Sequence, residues 1–258
     1  MSITLLCCSQ INAQERLVIV GGGDRPSAAL AKFVEWAGKD QARVLIIPWA
    51  TSEPEASFKS LKEDFAPFRP ASVELAPIAP LTDEKKNQFL SQLKLATGVF
   101  FTGGDQVRIM NVLKDESLLK ILKQRYAEGT VFGGTSAGTA IMSSQMITGE
   151  GDFTVIDGKK VETTGGLGLL PDDVIVDQHF IKRQRQNRLF GLILQNPKKF
   201  GIGINEDTAL LVTDNRYGEV VGASQVMLVN SGKQSGSLTI YLLEPGEKLD
   251  LKKRSPKK

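Results

Sequence analysis

Short runs of β-branched and apolar residues alternate with longer stretches of helical period through the first half of the chain. Residues 17–20 are all apolar and lead into Gly21-Gly22-Gly23, which is how a strand buried on both faces delivers the chain to a turn. Helical spacing follows over 27–37, and 44–48 reads as the next strand. The alternation continues with a helix at 58–65, a strand at 72–75, a helix at 83–95, a strand at 98–102 and a helix at 107–113. Strands alternating with helices predict βαβ units, and hence a parallel sheet covered by helices on both faces.

The second half opens in the same way, with a strand at 130–132, a helix at 137–143 and a strand at 174–176. The Gly-rich stretch between them, 147–171, reads as a hairpin or an extended loop. A helix over about 182–195 turns Leu189, Leu192 and Ile193 inward, with Phe190 beside them. Short strand-like segments at 209–213, 219–221, 225–229 and 238–243, separated by Gly, Asn and Ser, predict an antiparallel addition at the sheet edge.

Composition changes this picture little. With 258 residues, 41% hydrophobic and 24% charged, the chain is of ordinary globular type and long enough for one large core. Its formal net charge of +3 rests on the tail, because Lys252, Lys253, Arg254, Lys257 and Lys258 alone outweigh it. The body is near neutral, which argues against nucleic-acid binding. Residues 247–258 are expected to be a basic, solvated tail, and 15–246 a single domain. No segment approaches the length of a membrane span. The two cysteines, Cys7 and Cys8, are adjacent near the start and cannot staple a core. They lie in an apolar opening, residues 1–14, that reads as a signal-peptide remnant ending near Ala13 and implies a periplasmic or extracellular protein; the alternative is a cytoplasmic chain with a frayed start.

The strongest chemical feature is Gly134-Thr135-Ser136-Ala137-Gly138 between a predicted strand and a predicted helix. It satisfies G-x-S-x-G in the context of a nucleophile elbow, with small residues flanking a sharply turned serine. The Ala137 N–H then falls at a helix N-terminus, where it can donate to an oxyanion. His179 is the one histidine of the chain, so any Ser-His mechanism must use it. An acid should orient its ring, and Asp177, Asp152, Glu150 and Glu206 are all candidates that spacing does not separate. Gly103-Gly104-Asp105-Gln106 offers a second turn with backbone donors. Arg183, Arg185 and Arg188 cluster after the histidine and suit carboxylate recognition. Gly21-Gly22-Gly23-Asp24-Arg25-Pro26 fails the dinucleotide pattern, with Pro26 at its last position, and no zinc ligand set is present.

Taken together, Thr102-Gly103-Gly104-Asp105-Gln106, Gly133-Gly134-Thr135-Ser136-Ala137-Gly138, Asp177-Gln178-His179-Phe180 with Arg183, Arg185 and Arg188, and Gly203-Ile204-Asn205-Glu206-Asp207-Thr208-Ala209 resemble the cyanophycinase family. Four separated motifs in the family's order, between about residue 17 and about residue 229, make the likeness specific. The resemblance implies a three-layer α/β/α fold, flavodoxin-like and related to class I glutamine amidotransferases, with a mostly parallel sheet, and a homodimer. It implies a Ser136, His179, Glu206 triad, an oxyanion hole from Gly104 and Ala137, and substrate contacts from Gln106, Asp177, Gln178, Arg183, Arg185 and Arg188. The implied reaction is hydrolysis of cyanophycin, a polyaspartate carrying arginine on each side-chain carboxyl, to β-Asp-Arg dipeptides through an acyl-enzyme, with neither metal nor cofactor. An aspartyl dipeptidase acting on short Asp-containing peptides is the second reading.

Overall fold

The apolar runs of the first half become five strands; four are almost wholly buried, as a sheet covered on both faces requires, and the fifth, Ser72–Leu75 at the sheet edge, is only partly covered. In the computed structural model, which describes residues 14–257, the chain runs β1 (Arg16–Val20), α1 (Ser27–Trp36), β2 (Arg43–Ile47), α2 (Pro54–Phe65), β3 (Ser72–Leu75), α3 (Asp83–Leu95), β4 (Gly98–Phe101), α4 (Gln106–Val112), α5 (Glu116–Ala127) and β5 (Val131–Thr135). The five strands lie parallel in the order β3-β2-β4-β5-β1. Helices α1 and α2 cover one face, where Phe33, Phe65 and Phe100 meet edge to face or tilted. Helices α3, α4 and α5 cover the other with Phe89, Ile109 and Leu122. The architecture is mixed α/β with a parallel core, and the signal-like opening with Cys7 and Cys8 lies outside the described residues.

Helix α5 departs from the sequence expectation, which places one helix between consecutive strands. Its stripe of Leu118, Leu122 and Tyr126 is buried, and Asp115 caps its start by accepting from the Ser117 N–H at 3.0 Å. Two helices therefore fill the crossover from β4 to β5. The next helix, α6 (Ala137–Ala140), is shorter than expected. Beyond it the Ile141 and Met142 carbonyls accept from N–H groups of residues 167–170, so the backbone leaves the helical path to hold that segment.

The remaining elements are β6 (Gln145–Gly151), β7 (Val161–Gly165), β8 (Val174–Gln178), α7 (Gln186–Gln195), β9 (Phe200–Ile204), β10 (Thr208–Thr213), β11 (Tyr217–Gly222), β12 (Val226–Ser231), β13 (Leu238–Leu243), β14 (Lys248–Asp250) and β15 (Ser255–Lys257). Strands β6 and β7 form the hairpin that the Gly-rich stretch allowed. Strands β10 and β11 extend the large sheet antiparallel beyond β1. Strands β12 and β13, expected at that same edge, lie instead in a separate four-stranded sheet, where β13 pairs with β12, β12 with β9, and β9 runs parallel to β8. This second sheet shares the α3–α5 side of the core through Val176, Ile202 and Leu228, and α7 closes its outer face.

The expected solvated tail is a correction. Strands β14 and β15 add to β11, with Leu249 and Leu251 buried in the main core. Lys252 and Lys253, in the turn between the two strands, and Lys257 are exposed, while Leu249 and Leu251 face inward.

Candidate functional site

The turn after β5 is built from residues too small to obstruct it. A Cβ at Gly134 would overlap the Gly138 backbone, and one at Gly138 would overlap the Phe101 carbonyl, so strand and helix close more tightly than any larger residue allows. Between them Ser136 adopts φ 52°, ψ −109°. Its N–H donates to the Val20 carbonyl at 3.1 Å, and Thr139 Oγ1 lies 2.7 Å from that same oxygen, pinning the turn to β1. Ala137 is the first residue of α6, where a backbone N–H has no partner within the helix.

The histidine arrives from the other sheet. Strand β8 ends at Gln178, and His179 turns the chain with φ 49° while its N–H donates to the Gly21 carbonyl at 2.7 Å. Its Nε2 stands 2.8 Å from Ser136 Oγ. Its Nδ1 stands 2.6 Å from Glu206 Oε1, just beyond the end of the neighbouring β9. With the ring proton on Nδ1 and given to the carboxylate, Nε2 is free to accept the serine proton. Burial holds the imidazole below its ordinary value of 6.5; the Glu206 hydrogen bond pulls the other way, and the Arg183 and Arg185 charges push it down again. The ring is therefore a neutral base at pH 7.

Glu206 sits among contacts that also use the glycine turn after β1. The Asp207 N–H donates to the Gly22 carbonyl at 2.9 Å, and Asp207 Oδ1 accepts from the Asp24 N–H at 2.6 Å. Gly22 has φ 112°, and a Cβ there would overlap the His179 ring. Its role was missed in the sequence, where the three glycines invite only a nucleotide reading that then fails. The available signal was their position at the end of the first buried strand, where a parallel α/β sheet places its site.

Four of the expected substrate contacts line a cavity of about 720 Å³ beside Ser136: Gln106, Gln178, Arg183 and Arg185, with Gly104 on its wall. Gln178 Oε1 lies 3.4 Å from Ser136 Oγ. The Gln106 amide donates to the Ile147 and Thr148 carbonyls at 2.8 and 2.6 Å, tying the β6–β7 hairpin to the cavity. Arg185 donates from Nη1 to the Gln178 carbonyl at 2.9 Å; burial, then the Arg188 charge, bring its guanidinium down to about 10, against the pull of Asp177.

Asp177 and Arg188, also expected to touch substrate, are a correction. They form a bidentate ion pair with side chains 1% and 2% exposed, Arg188 Nε reaching Asp177 Oδ2 at 2.6 Å and Nη2 reaching Oδ1, with the guanidinium over the Phe153 ring. Neither lines the cavity. Helix α7 begins at Gln186, later than the 182 the sequence suggested, which leaves Arg183 and Arg185 in the preceding turn and directs Arg188 under β8. Among the described residues no group of His, Cys, Asp or Glu side chains could hold a metal ion, and no helix is long and apolar enough to cross a membrane.

Comparison with known proteins finds relatives by sequence and by fold. The model of peptidase family S51 matches residues 16–220. The cyanophycinase of Trichormus variabilis is 36% identical over 217 residues, 83% of this chain and 72% of its own. That of Geminocystis herdmanii is 31% identical over 93% of this chain and 94% of its own. A solved peptidase from an acI-B1 Actinobacterium, 22% identical, matches the fold with a TM-score of 0.69 over 93% of this chain and 97% of its own.

Proposed function

The chain belongs to peptidase family S51, and from that premise we propose that it is a serine peptidase that hydrolyses cyanophycin to β-Asp-Arg dipeptides. Ser136 Oγ attacks the scissile carbonyl while His179 Nε2 takes its proton, and Glu206 stabilises the imidazolium. The Ala137 and Gly104 N–H groups receive the developing oxyanion. His179 returns the proton to the departing amine, and water, activated by the same ring, releases the acyl product.

The observation that carries this reading is the unbroken series Ser136 Oγ, His179 Nε2, His179 Nδ1, Glu206 Oε1, with links of 2.8 and 2.6 Å. The flavodoxin-like assignment is supported by the strand order β3-β2-β4-β5, which reproduces the first four positions of the 2-1-3-4-5 arrangement, with β1 standing in the fifth. The positive φ of Ser136 between β5 and α6 supports the nucleophile elbow. Arg183 and Arg185 supply the guanidinium forks suited to the polymer's carboxylates. Asp177 and Arg188 contribute by holding the strand end and turn that carry Gln178 and Arg185.

Incubation with insoluble cyanophycin and mass spectrometry of the soluble fraction tests the assignment: β-Asp-Arg should accumulate, and Ser136→Ala should release none. Turnover of short α-aspartyl peptides with the polymer untouched would favour the aspartyl dipeptidase reading. The homodimer that the resemblance carries is part of the proposal; Ile240 and Leu242, exposed on the edge strand β13, offer an apolar surface for it. Light scattering should then give twice the 28.1 kDa of one chain.

A further inference from the structure

Ser136 borders two cavities, and their linings differ. The larger carries Gly104, Gln178, Arg183 and Arg185. The smaller, about 370 Å³, opens toward α2 and the glycine turn and is lined by Gly22, Arg25, Ser57, Ser60, Thr102 and His179 among others. His179 borders the smaller cavity and not the larger. If the reading of Ser136 as nucleophile holds, that asymmetry has a chemical meaning. The base that takes the serine proton must deliver it to the amine nitrogen, so the amine-bearing half of the substrate departs on the side His179 faces. The acyl half then lies with Gly104, one of the proposed oxyanion donors, in the larger cavity.

We propose that the smaller cavity is the leaving-group subsite and that it binds the departing residue through a carboxylate held by Arg25, with hydroxyl contacts from Ser60 and Thr102. Arg25 is the cation on this wall, and no carboxylate residue lines it. Its guanidinium is held in place by an ion pair from Nε to Asp64, which stands behind it outside the lining, and by Nη2 donating to Ser60 Oγ at 2.8 Å. Ser60 accepts from the arginine and so keeps its own O–H to donate. Thr102 is 1% exposed and its Oγ1 has no hydrogen-bond partner, an uncompensated buried hydroxyl that a ligand oxygen or amine would satisfy. In the step itself the Oγ–C bond forms, the C–N bond breaks, and the serine proton passes through His179 to the nitrogen, which leaves as a neutral amine into this cavity.

The test uses the full chain and a dimer of β-Asp-Arg units, compared with the same dimer carrying carboxamides in place of the departing unit's carboxylates. The wild-type enzyme should favour the carboxylate form by about tenfold or more in kcat/KM, as one charge-assisted contact allows. Arg25→Met should bring that ratio to about one, Arg25→Lys should keep part of it, and Ser60→Ala should lower it partway. An equal rate for the two dimers in the wild type, or a ratio unmoved in the folded Arg25→Met variant, would overturn the assignment. An aspartyl ester with a small alcohol leaving group places nothing in the cavity and reports on the nucleophile alone. Loss of ester turnover in Ser136→Ala together with a flat dimer ratio rejects the subsite; ester and dimer turnover surviving in Ser136→Ala rejects the nucleophile reading on which it rests.

Discussion

In the proposed mechanism, proton transfer from Ser136 depends on a neutral His179, and the forces on that ring set the pH dependence. Burial and the two arginines lower its pKa from 6.5, so the basic form persists to more acidic pH than for a free histidine. The acid limb of kcat/KM should have its midpoint below 6.5, with rate lost as pH falls through it. Arg183→Gln removes one lowering charge and should move the limb toward higher pH; a midpoint above the free value in the wild type would contradict the assignment. Replacing Glu206 by Gln should cost about 10³–10⁴-fold in kcat, because the amide carries no charge to stabilise the imidazolium and can donate to Nδ1, which favours the wrong tautomer. Ser136 and His179 were legible in the sequence as an elbow serine and a lone histidine. The proposed acid was not, because spacing left Asp177, two residues before His179, as eligible as Glu206. The left-handed φ of His179 ends the strand's alternation there, and Asp177 turns to Arg188 instead.

Elements reach the site through turns whose role is to hold them against one another. The glycine turn after β1 supports the His179 ring on one side and receives the Asp207 N–H on the other. Gly22→Ala should therefore displace the imidazole and cost about 10²-fold or more in kcat with little change in circular dichroism, since misplacement on the order of 1 Å has that effect. Below β8 the buried pair has a different role. Arg188→Ala would leave the Asp177 charge buried and unpaired and should destabilise by about 3–5 kcal/mol in denaturant melts, whereas replacing both members with apolar residues of similar volume should cost much less. Strands and helices of the parallel half were legible because each is an unbroken apolar run or a clear helical stripe. Helix α5 escaped because strict alternation expects one helix per crossover. Arg188 was expected to touch substrate because three arginines fall within six positions after the histidine, and only the late start of α7 separates them.

At the scale of the molecule, the proposed nucleophile belongs to one sheet and its proposed base and acid to another, so the mechanism requires the two to be held in register. Pairing partners of β8, β9, β12 and β13 were not legible, because alternation of apolar and polar residues marks a strand without naming its neighbour. The C-terminal segment performs part of this joining. Strands β14 and β15 extend the large sheet, while Arg254 between them donates to Asp173 and to the Lys198 carbonyl at 2.6 and 2.7 Å, lies over the Phe200 ring, and offers its own carbonyl to Asn230 at 2.9 Å. Those partners precede or belong to strands of the second sheet. Arg254→Ala should cost only about 1 kcal/mol, because the ion pair is partly exposed. Leu249→Ala, in the fully buried core, should cost about 2–5 kcal/mol. Deleting residues 248–258 removes both supports at once, and the loss should appear in two places. Thermal unfolding should shift down by more than either substitution produces, and amide exchange should quicken in β8 and β9 more than in β4 and β5. Unchanged protection in β8 and β9 after truncation would mean that the shared core alone holds His179 and Glu206 against Ser136.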